Sequence, residues 1–324
     1  MTNIVCNNGV TISMNDNTLK LSDVFNDANC TMSSSINTTF DNLDDTKNYI
    51  LMLKDENVSE TLIIEENKNV TIDLNGKNIT ALPGCQVTLR NFGKLTINDS
   101  TGTGVMKTTR WLLANHLELT INGGSFIKEK DDESGGGVIG NSGLVTVNDG
   151  YFYTESAYVF YNYFKNDPNP IFNVNGGIIK SPDSPEFVNM HSKGTFNIKN
   201  VNLSDLGDQI VFNNYAGGIF NISNVQIDST SPHTVYNAKQ GIINIKNSTI
   251  TNSSGSTIDN TDDGIINIVD CKFDAMSNVV DNNKLGTVNI CSGSINGKTN
   301  DVINKENGYV YYKDSNIFKN NSLN

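Results

Sequence analysis

The side chains best suited to chemistry in this sequence are aromatic residues concentrated in one segment. The stretch YFYTESAYVFYNYF at 151–164 holds eight aromatic residues in fourteen positions. If Phe152 points into a core, strand alternation places its two tyrosine neighbours outward, and further tyrosines follow beyond the next corner. A tyrosine ring stacks on a sugar and still offers its hydroxyl for hydrogen bonding. We therefore predict a carbohydrate-binding surface made of Trp111, Tyr151, Tyr153, Tyr158, Tyr161 and Tyr163. The alternative is that these rings pack over a bulge in a long repeat.

Acidic residues in and near the insertion KEKDDES at 128–134 are candidates for catalysis, but weaker ones than the aromatic residues are for binding. A glycosidase needs two carboxyl groups that flank the scissile bond, and the following repeat supplies a second carboxylate. The catalytic candidates are Glu129, Asp131, Asp132, Glu133 and Glu155. The simpler interpretation is a solvated loop, with Arg110 nearby either pairing with these acids or neutralising a uronic acid. A second acidic group, made of Asp259, Asp262, Asp263 and Asp281, is interpreted as solvated corner carboxylates.

No sequence pattern indicates a metal or a cofactor. The five cysteines and three histidines are scattered, without the close spacing that zinc ligands show. We find no phosphate-binding loop, dinucleotide fingerprint or Ser/His/Asp arrangement. We therefore expect no metal and no cofactor. His116 is the histidine that falls near the aromatic segment.

The composition excludes several classes of partner. Lysine and arginine total 23 against 35 acidic residues, and the net charge of −12 leaves no basic footprint for nucleic acid or for an anionic membrane surface. No apolar run approaches the roughly 18 residues needed for membrane insertion. The first residues, MTNIVCNNGV, lack a signal-peptide pattern, which leaves the export route open. We expect an extracellular or cell-surface location, or alternatively a virion.

An internal repeat organises the chain, and repeats are the first feature to seek. The segments GTFNIK, GIFNIS, GIINIK, GIINIV and GTVNIC begin at Gly194, Gly218, Gly241, Gly264 and Gly286. Weaker copies begin at Val70, Gly93, Leu117, Gly143, Pro170 and Gly308, so that successive starts are 22 to 27 residues apart. The pattern continues to Ile317.

Each repeat contains the pattern of three short strands. The second residue after every start is apolar, the fourth is nearly always aliphatic, and the sixth is Gly, Asp, Asn or Ser, which tolerate turn geometry. Further alternation and a third short strand follow before the next start. Three strands and three corners in about 23 residues are typical of a parallel β-helix turn that buries its apolar face only by stacking. A leucine-rich repeat fits the period, but it would need regular leucines and a helical return.

Three segments carry a more specific resemblance. NVTIDLNGKNIT (69–80), FGKLTINDSTGTG (92–104) and LTINGGSF (119–126) resemble the adhesin-like parallel β-helix proteins of low-GC bacteria, within the broader pectate-lyase-like group. The resemblance implies an all-β, right-handed parallel β-helix (solenoid) of about 11 to 12 turns. It also implies a surface-associated role that often faces carbohydrate.

The first 47 residues do not follow the repeat, and we interpret them as a cap over the exposed end of a β-helix at 48–324. Ile36, Phe40 and Leu43 have helical spacing after a serine run, which predicts a short amphipathic helical turn. Cys6 and Cys30 are close enough in sequence to pair with each other.

Two outward positions of the repeat form columns of similar residues along the solenoid, and we interpret one as structural and weigh the other as a contact surface. From Thr96 to Asn289 the third residue after the start is Thr or Asn in nine successive repeats, and stacked amides and hydroxyls bond to one another between turns. The residue one after the start is apolar in Ile219, Ile242 and Ile265, with Ile171 earlier in the column. In our preferred interpretation, the start glycine bends the chain so that these isoleucines join the core. Otherwise they form an apolar strip that a homo-oligomer would bury.

Taken together, the sequence predicts a non-catalytic surface or adhesion protein that binds glycan. The alternatives are a polysaccharide lyase or glycosidase of the tailspike type, and a structural fibre protein of a virion or appendage. Fold alone does not separate them, because function depends on the site.

Overall fold

The computed structural model describes residues 3–7, 29–41, 43–130, 135–163, 169–182, 186–203, 206–208 and 210–313. These residues form a parallel β-solenoid of about eleven turns, as the repeat predicts. Each full turn contributes one strand to each of three sheets, and the strands are numbered along the chain. Ile317 lies outside the described residues, as do 8–28 of the predicted cap.

The first sheet has fourteen strands. In spatial order they are β2 (Cys30–Ser33), β1 (Asn3–Cys6), β3 (Lys47–Leu51), β6 (Asn69–Asp73), β9 (Lys94–Asn98), β12 (Glu118–Ile121), β15 (Leu144–Val147), β18 (Ile171–Val174), β21 (Thr195–Lys199), β24 (Ile219–Ser223), β27 (Ile242–Lys246), β30 (Ile265–Val269), β33 (Thr287–Ile290) and β36 (Tyr309–Tyr312).

The second and third sheets have eleven strands each. The second comprises β4 (Glu56–Val58), β7 (Asn78–Ala81), β10 (Val105–Thr108), β13 (Ser125–Lys128), β16 (Tyr151–Thr154), β19 (Ile178–Lys180), β22 (Asn202–Leu203), β25 (Gln226–Ser229), β28 (Thr249–Asn252), β31 (Cys271–Ala275) and β34 (Gly293–Gly297). The third comprises β5 (Leu62–Ile64), β8 (Val87–Asn91), β11 (Trp111–Asn115), β14 (Gly137–Asn141), β17 (Tyr158–Asn162), β20 (Glu186–Met190), β23 (Ile210–Asn214), β26 (His233–Asn237), β29 (Ser256–Asn260), β32 (Asn278–Asn282) and β35 (Asn300–Asn304).

The core follows the alternation predicted for the first strand of each turn. In β27, Ile243 and Ile245 are fully or almost fully buried, while Asn244 between them faces outward. Phe220, Ile243 and Ile266 lie in direct register on successive turns. One continuous apolar column therefore runs along the axis, because every turn presents the same inward positions.

The corner after this first strand also follows the sequence prediction. Asn224, Asn247 and Asp270 occupy the sixth position after their starts with φ of 52°, 48° and 53°. Asn and Asp tolerate this left-handed conformation better than other side chains. In some turns the following residue takes the left-handed role instead, as Gly150 does at φ 138°.

Two asparagine ladders connect the turns. On the outward face of the first sheet, each amide donates to the preceding turn at 2.7 Å, from Asn289 through Asn267 and Asn244 back to Asn173. A second ladder is buried at the end of the third sheet, where the amides donate to the following turn at 2.7 to 2.9 Å. The buried ladder comprises Asn91, Asn115, Asn141 and Asn162 in one run, and Asn214, Asn237, Asn260, Asn282 and Asn304 in another.

The buried ladder explains why a glycine begins the later repeats. A Cβ atom on Gly241 would lie 2.2 Å from Oδ1 of Asn237 and 2.4 Å from Nδ2 of Asn214. Any larger residue would therefore displace the ladder amides. Between the two runs the equivalent position is Met190, which is in register with Asn162 and whose sulfur lies 3.2 Å from the Asn162 amide nitrogen.

The beginning of the described chain packs against the first turns. The helix α1 (Ile36–Asp41) lies where the apolar spacing predicts it, and the Ser35 hydroxyl accepts the Thr38 backbone N–H at 3.1 Å at its N-terminus. Ile36 is 1% exposed and belongs to the main core cluster. Strand β1 is antiparallel to both β2 and β3, and a disulfide joins Cys6 to Cys30, the pairing that the sequence left possible. Within the described part of the chain, no helix has the length and apolar character required to span a bilayer.

The isoleucine column does not enter the core, so the preferred interpretation of it is wrong. Ile219, Ile242 and Ile265 occupy outward positions on β24, β27 and β30, in direct register, and each is only partly buried. The start glycine makes room for the ladder and does not rotate the next side chain inward. Ile171 is 41% exposed and is separated from the other three by Thr195.

Candidate ligand-binding site

A groove on the outer face of the third sheet brings together four of the predicted aromatic residues. Trp111 is the first residue of β11, Tyr158 and Tyr161 lie on β17, and Tyr163 directly follows β17. The strand between them, β14, places Gly137 in register with Trp111 and Tyr158, and Gly140 in register with Tyr161. The rings on either side therefore lean over a strand that has no side chains at these two positions.

The glycines are required by the rings. A Cβ atom on Gly137 would lie 2.8 Å from the Trp111 ring, and one on Gly140 would lie 3.1 Å from Trp111 and 3.2 Å from Tyr163. Contacts this short force the neighbouring atoms to move. The two glycines thus form a floor that permits the aromatic side chains to approach one another.

The resulting groove has a volume of about 260 Å³. Its lining residues are Val87, Arg90, Trp111, Ala114, Gly140, Tyr161 and Tyr163. The Trp111 and Tyr161 ring centroids are 5.8 Å apart, and the Tyr161 ring stacks with Tyr158 at 4.9 Å and with Tyr163 at 5.7 Å. All four rings are partly exposed, so their apolar faces and the edges of the groove remain accessible to a ligand.

One cation lies inside the groove. Arg90 points outward from β8, in register with Ala114, and its Nε is buried without a hydrogen-bond partner. Among the described residues, no carboxylate pairs with the Arg90 guanidinium. Burial raises the pKa of Tyr163, while a hydrogen bond with Ser142 and the positive charge of Arg90 oppose that rise. The groove therefore combines apolar ring faces with an uncompensated positive charge.

The aromatic contacts continue beyond the groove along the solenoid axis. The His191 ring lies 5.3 Å from Tyr161 and stacks on Tyr215 at 5.1 Å, and the Lys239 ammonium lies 5.2 Å from the centre of the Tyr215 ring. Burial lowers the pKa of His191, and the nearby charge of Lys239 lowers it further. Both effects favour the neutral form of the His191 ring.

Sequence reasoning missed Arg90, His191 and Tyr215. The sequence did contain a signal for His191 and Tyr215. The residue that follows the buried-ladder position lies at the same corner in each turn, and in five turns it has an aromatic ring. These five residues are Phe92, His116, Tyr163, His191 and Tyr215. His116 is buried, stacks on Phe92 at 4.6 Å and bonds to Ser142 at 2.9 Å. It supports the groove from behind and is not accessible at its surface.

Tyr151 and Tyr153 belong to a different face. They point outward from β16 in the second sheet and stack on each other at 6.3 Å. The chain turns a corner before β17, where Ala157 has φ 96°, and this corner separates them from Tyr158. The predicted aromatic surface is thus divided, and only the part on the third sheet forms the groove.

The predicted carboxylates have separate partners. Glu129 pairs with Lys107 at 2.5 Å, while Glu155 accepts the Lys130 backbone N–H at 3.2 Å and the Tyr153 hydroxyl at 3.4 Å. Asp131, Asp132 and Glu133 lie outside the described residues. The glycosidase-type pair stays a prediction that these contacts do not favour.

The other acidic group is not simply solvated. Asp259 and Asp281 are in register on β29 and β32. Asp281 accepts hydrogen bonds from Ser256 and Asn278 at 2.7 Å each, and the His233 ring nitrogen lies 3.7 Å from Asp259. Burial raises the pKa of Asp259, the Asp281 charge adds to the rise, and His233 opposes it. Asp262, in contrast, pairs with Lys284 at a corner.

Comparisons with known proteins add nothing to this geometry. No protein-family model, curated protein or solved structure matches the chain. Within the described residues, no group of three or more His, Cys, Asp or Glu side chains is arranged to hold a metal ion. The functional argument therefore depends on the groove.

Proposed function

We propose that this protein is a non-catalytic β-solenoid of the surface or adhesion type that binds glycan in the groove formed by Trp111, Tyr158, Tyr161 and Tyr163. The observation that carries this proposal is the convergence of the four rings over a glycine floor. Glycines at two outward positions weaken a strand, since they leave no side chain to pack. The rings that use this space stay partly exposed, as a binding surface requires.

The chemistry of the groove suits a sugar. Aromatic faces bind the apolar C–H faces of a sugar ring, and tyrosine hydroxyls and the Arg90 guanidinium supply hydrogen bonds to its oxygen atoms. A mostly apolar concavity with a few convergent polar groups is the usual form of a small-molecule site. The volume suits one unit of a longer chain, which would continue along the open solenoid surface.

The disulfide supports a location outside the cytosol. Disulfides persist in oxidising environments and are rare where thiols are kept reduced. The Cys6–Cys30 bond is therefore consistent with an extracellular, cell-surface or virion setting. The resemblance to adhesin-like proteins supports the same setting.

The proposal is tested by replacing rings on two faces. We expect Trp111→Ala combined with Tyr161→Ala to abolish retention on a glycan array, because both faces of the groove are lost. Tyr151→Ala combined with Tyr153→Ala is the matched control, since it removes two partly exposed rings from the neighbouring sheet. Circular dichroism checks that both variants remain folded. Equal glycan retention by the groove variant and the unmodified protein would refute the proposal.

A further inference from the structure

The groove is one end of a longer row of side chains. From Trp111 the row continues through Tyr161, His191 and Tyr215, with successive ring centroids 5.8, 5.3 and 5.1 Å apart. It begins beside Arg90 on β8 and ends at Lys239, two residues after the end of β26. These strands are six turns apart in the third sheet, or about 29 Å at roughly 4.8 Å per turn.

Both ends of the row are positive in a protein whose net charge is −12. Arg90 lines the groove, and the salt bridges among the described residues include none to its guanidinium, so its charge faces the groove without a neighbouring carboxylate. The Lys239 ammonium lies over the Tyr215 ring. Asp262 accepts the Lys239 backbone N–H at 2.9 Å and feels the Lys239 charge, but its ion pair is with Lys284. None of the residues that line the groove is acidic.

We propose that this row, from Arg90 to Lys239, binds a linear anionic glycan that lies parallel to the solenoid axis and presents carboxylate or sulfate groups to the two cations. The inference rests on the proposed function, because it names the class of glycan that the same site takes. The rings contact successive sugar units, while the two cations select for negative charge. His191 in the middle of the row contributes a ring that lies between Tyr161 and Tyr215 and keeps the row of ring faces continuous.

The single tryptophan of the chain gives a direct measurement, because Trp111 lies in the groove and its fluorescence reports occupancy there. Probes are alginate oligosaccharides for carboxylate, heparin oligosaccharides for sulfate and maltooligosaccharides of matched length as neutral chains, each in a short and a long form. We expect a long anionic chain to bind at least tenfold more tightly than the neutral chain, and added salt to reduce this difference. The comparison of alginate with heparin oligosaccharides then shows whether the site prefers carboxylate or sulfate groups.

Charge-neutral variants locate the two ends. We expect Arg90→Gln to weaken binding of all anionic chains about tenfold, equivalent to about 1.4 kcal/mol. Lys239→Gln should weaken binding of the long anionic chains only, since a short chain held at Arg90 does not reach it. Lys94→Gln, on the first sheet, makes the same charge change away from the row and should have no effect.

The outcomes separate the two proposals. If neutral and anionic chains quench Trp111 with equal affinity, or if Lys239→Gln affects short and long chains alike, the anionic row is wrong while glycan binding stands. If no glycan of any charge quenches Trp111, the proposed function itself fails, and the inference fails with it.

Discussion

Removing one asparagine from the buried ladder should destabilise the solenoid strongly. Asn260 is 0% exposed, and its Nδ2 donates to the Gly264 carbonyl at 3.0 Å and to the Asn282 Oδ1 at 2.7 Å. Its own Oδ1 accepts from Asn237 at 2.8 Å. In Asn260→Ala all three hydrogen bonds are lost, and no water replaces them because the site is enclosed.

The magnitude follows from these contacts. Three buried hydrogen bonds at about 1 kcal/mol each give about 3 kcal/mol, and the Asn282 oxygen loses its ladder donor, which adds roughly 1 kcal/mol. Gly264 keeps one partner, the Thr287 backbone N–H, so its carbonyl adds little. At roughly 2 °C per kcal/mol for a chain of this size, the thermal midpoint should fall by about 6–8 °C.

A substitution in the outward ladder provides the control. Asn244 also exchanges two amide hydrogen bonds, with Asn221 and Asn267 at 2.7 Å each, but it is only partly buried. Water replaces those bonds, and Asn244→Ala should cost less than about 1 kcal/mol. Both variants are melted by circular dichroism at one scan rate, because large chains often unfold irreversibly. Equal losses in the two ladders would refute the claim that burial sets the cost.

The isosteric variant Asn260→Asp tests the direction of the ladder. A carboxylate still accepts from Asn237, but it faces two further acceptors and donates to them only when protonated. Its folded-state pKa is therefore raised, so the penalty is present at neutral pH and diminishes as the pH falls through that pKa. Stability that is independent of pH would show that the amide donates elsewhere.

Three further predictions concern other parts of the surface. Asp259→Asn should raise the thermal midpoint at pH 7, because burial and the Asp281 charge raise the Asp259 pKa and so penalise its ionised form in the folded state. That gain should shrink as the pH falls through the raised pKa, and a gain that is constant with pH would contradict the assignment. Gly140→Val should displace the Trp111 ring and abolish glycan binding while circular dichroism stays unchanged; retained binding would place the ligand elsewhere. Ile242→Asp should leave the monomer folded, because this side chain faces outward, and should abolish any lateral assembly seen by light scattering. A mass unchanged from that of the unmodified protein would remove the isoleucine strip as an interface.

The sequence predicted most of the fold because the fold is set by local, repeated rules. Inward positions such as Ile243, corner residues such as Asn247 and the outward amide ladder each recur at one place in the period. Each therefore had several independent occurrences in the sequence. The helix at Ile36 was predicted from local spacing alone, whereas the Cys6–Cys30 disulfide was only a possibility.

The site was predicted only in part, because it depends on where corners fall around the circumference. Alternation gave the outward direction of Tyr151 and Tyr153, and Tyr161 was expected beyond the next corner, but the sequence did not show that this corner divides the rings between two separate faces. The position of the corner at Ala157 decides on which sheet each ring lies. The backbone there is left-handed, and alanine is not a residue type from which this conformation is predicted. Arg90 was missed because it is close to the rings only across stacked turns, one turn from Trp111 and three from Tyr161, at a sequence separation that varies with the insertions.

The interruption of the buried ladder at Met190 has a consequence for how the molecule unfolds. In a linear array each turn is stabilised mainly by its two neighbours, so the array behaves as a chain of coupled units. The Met190 thioether accepts a hydrogen bond only weakly and donates none. The row of amide hydrogen bonds that includes Asn162 therefore ends at Met190, and the next row begins at Asn214. The strands on either side remain paired, but the side-chain coupling that the ladder adds between turns is interrupted at this junction. We expect the solenoid to melt as two cooperative blocks that meet at Met190, with amide exchange fastest on either side of it.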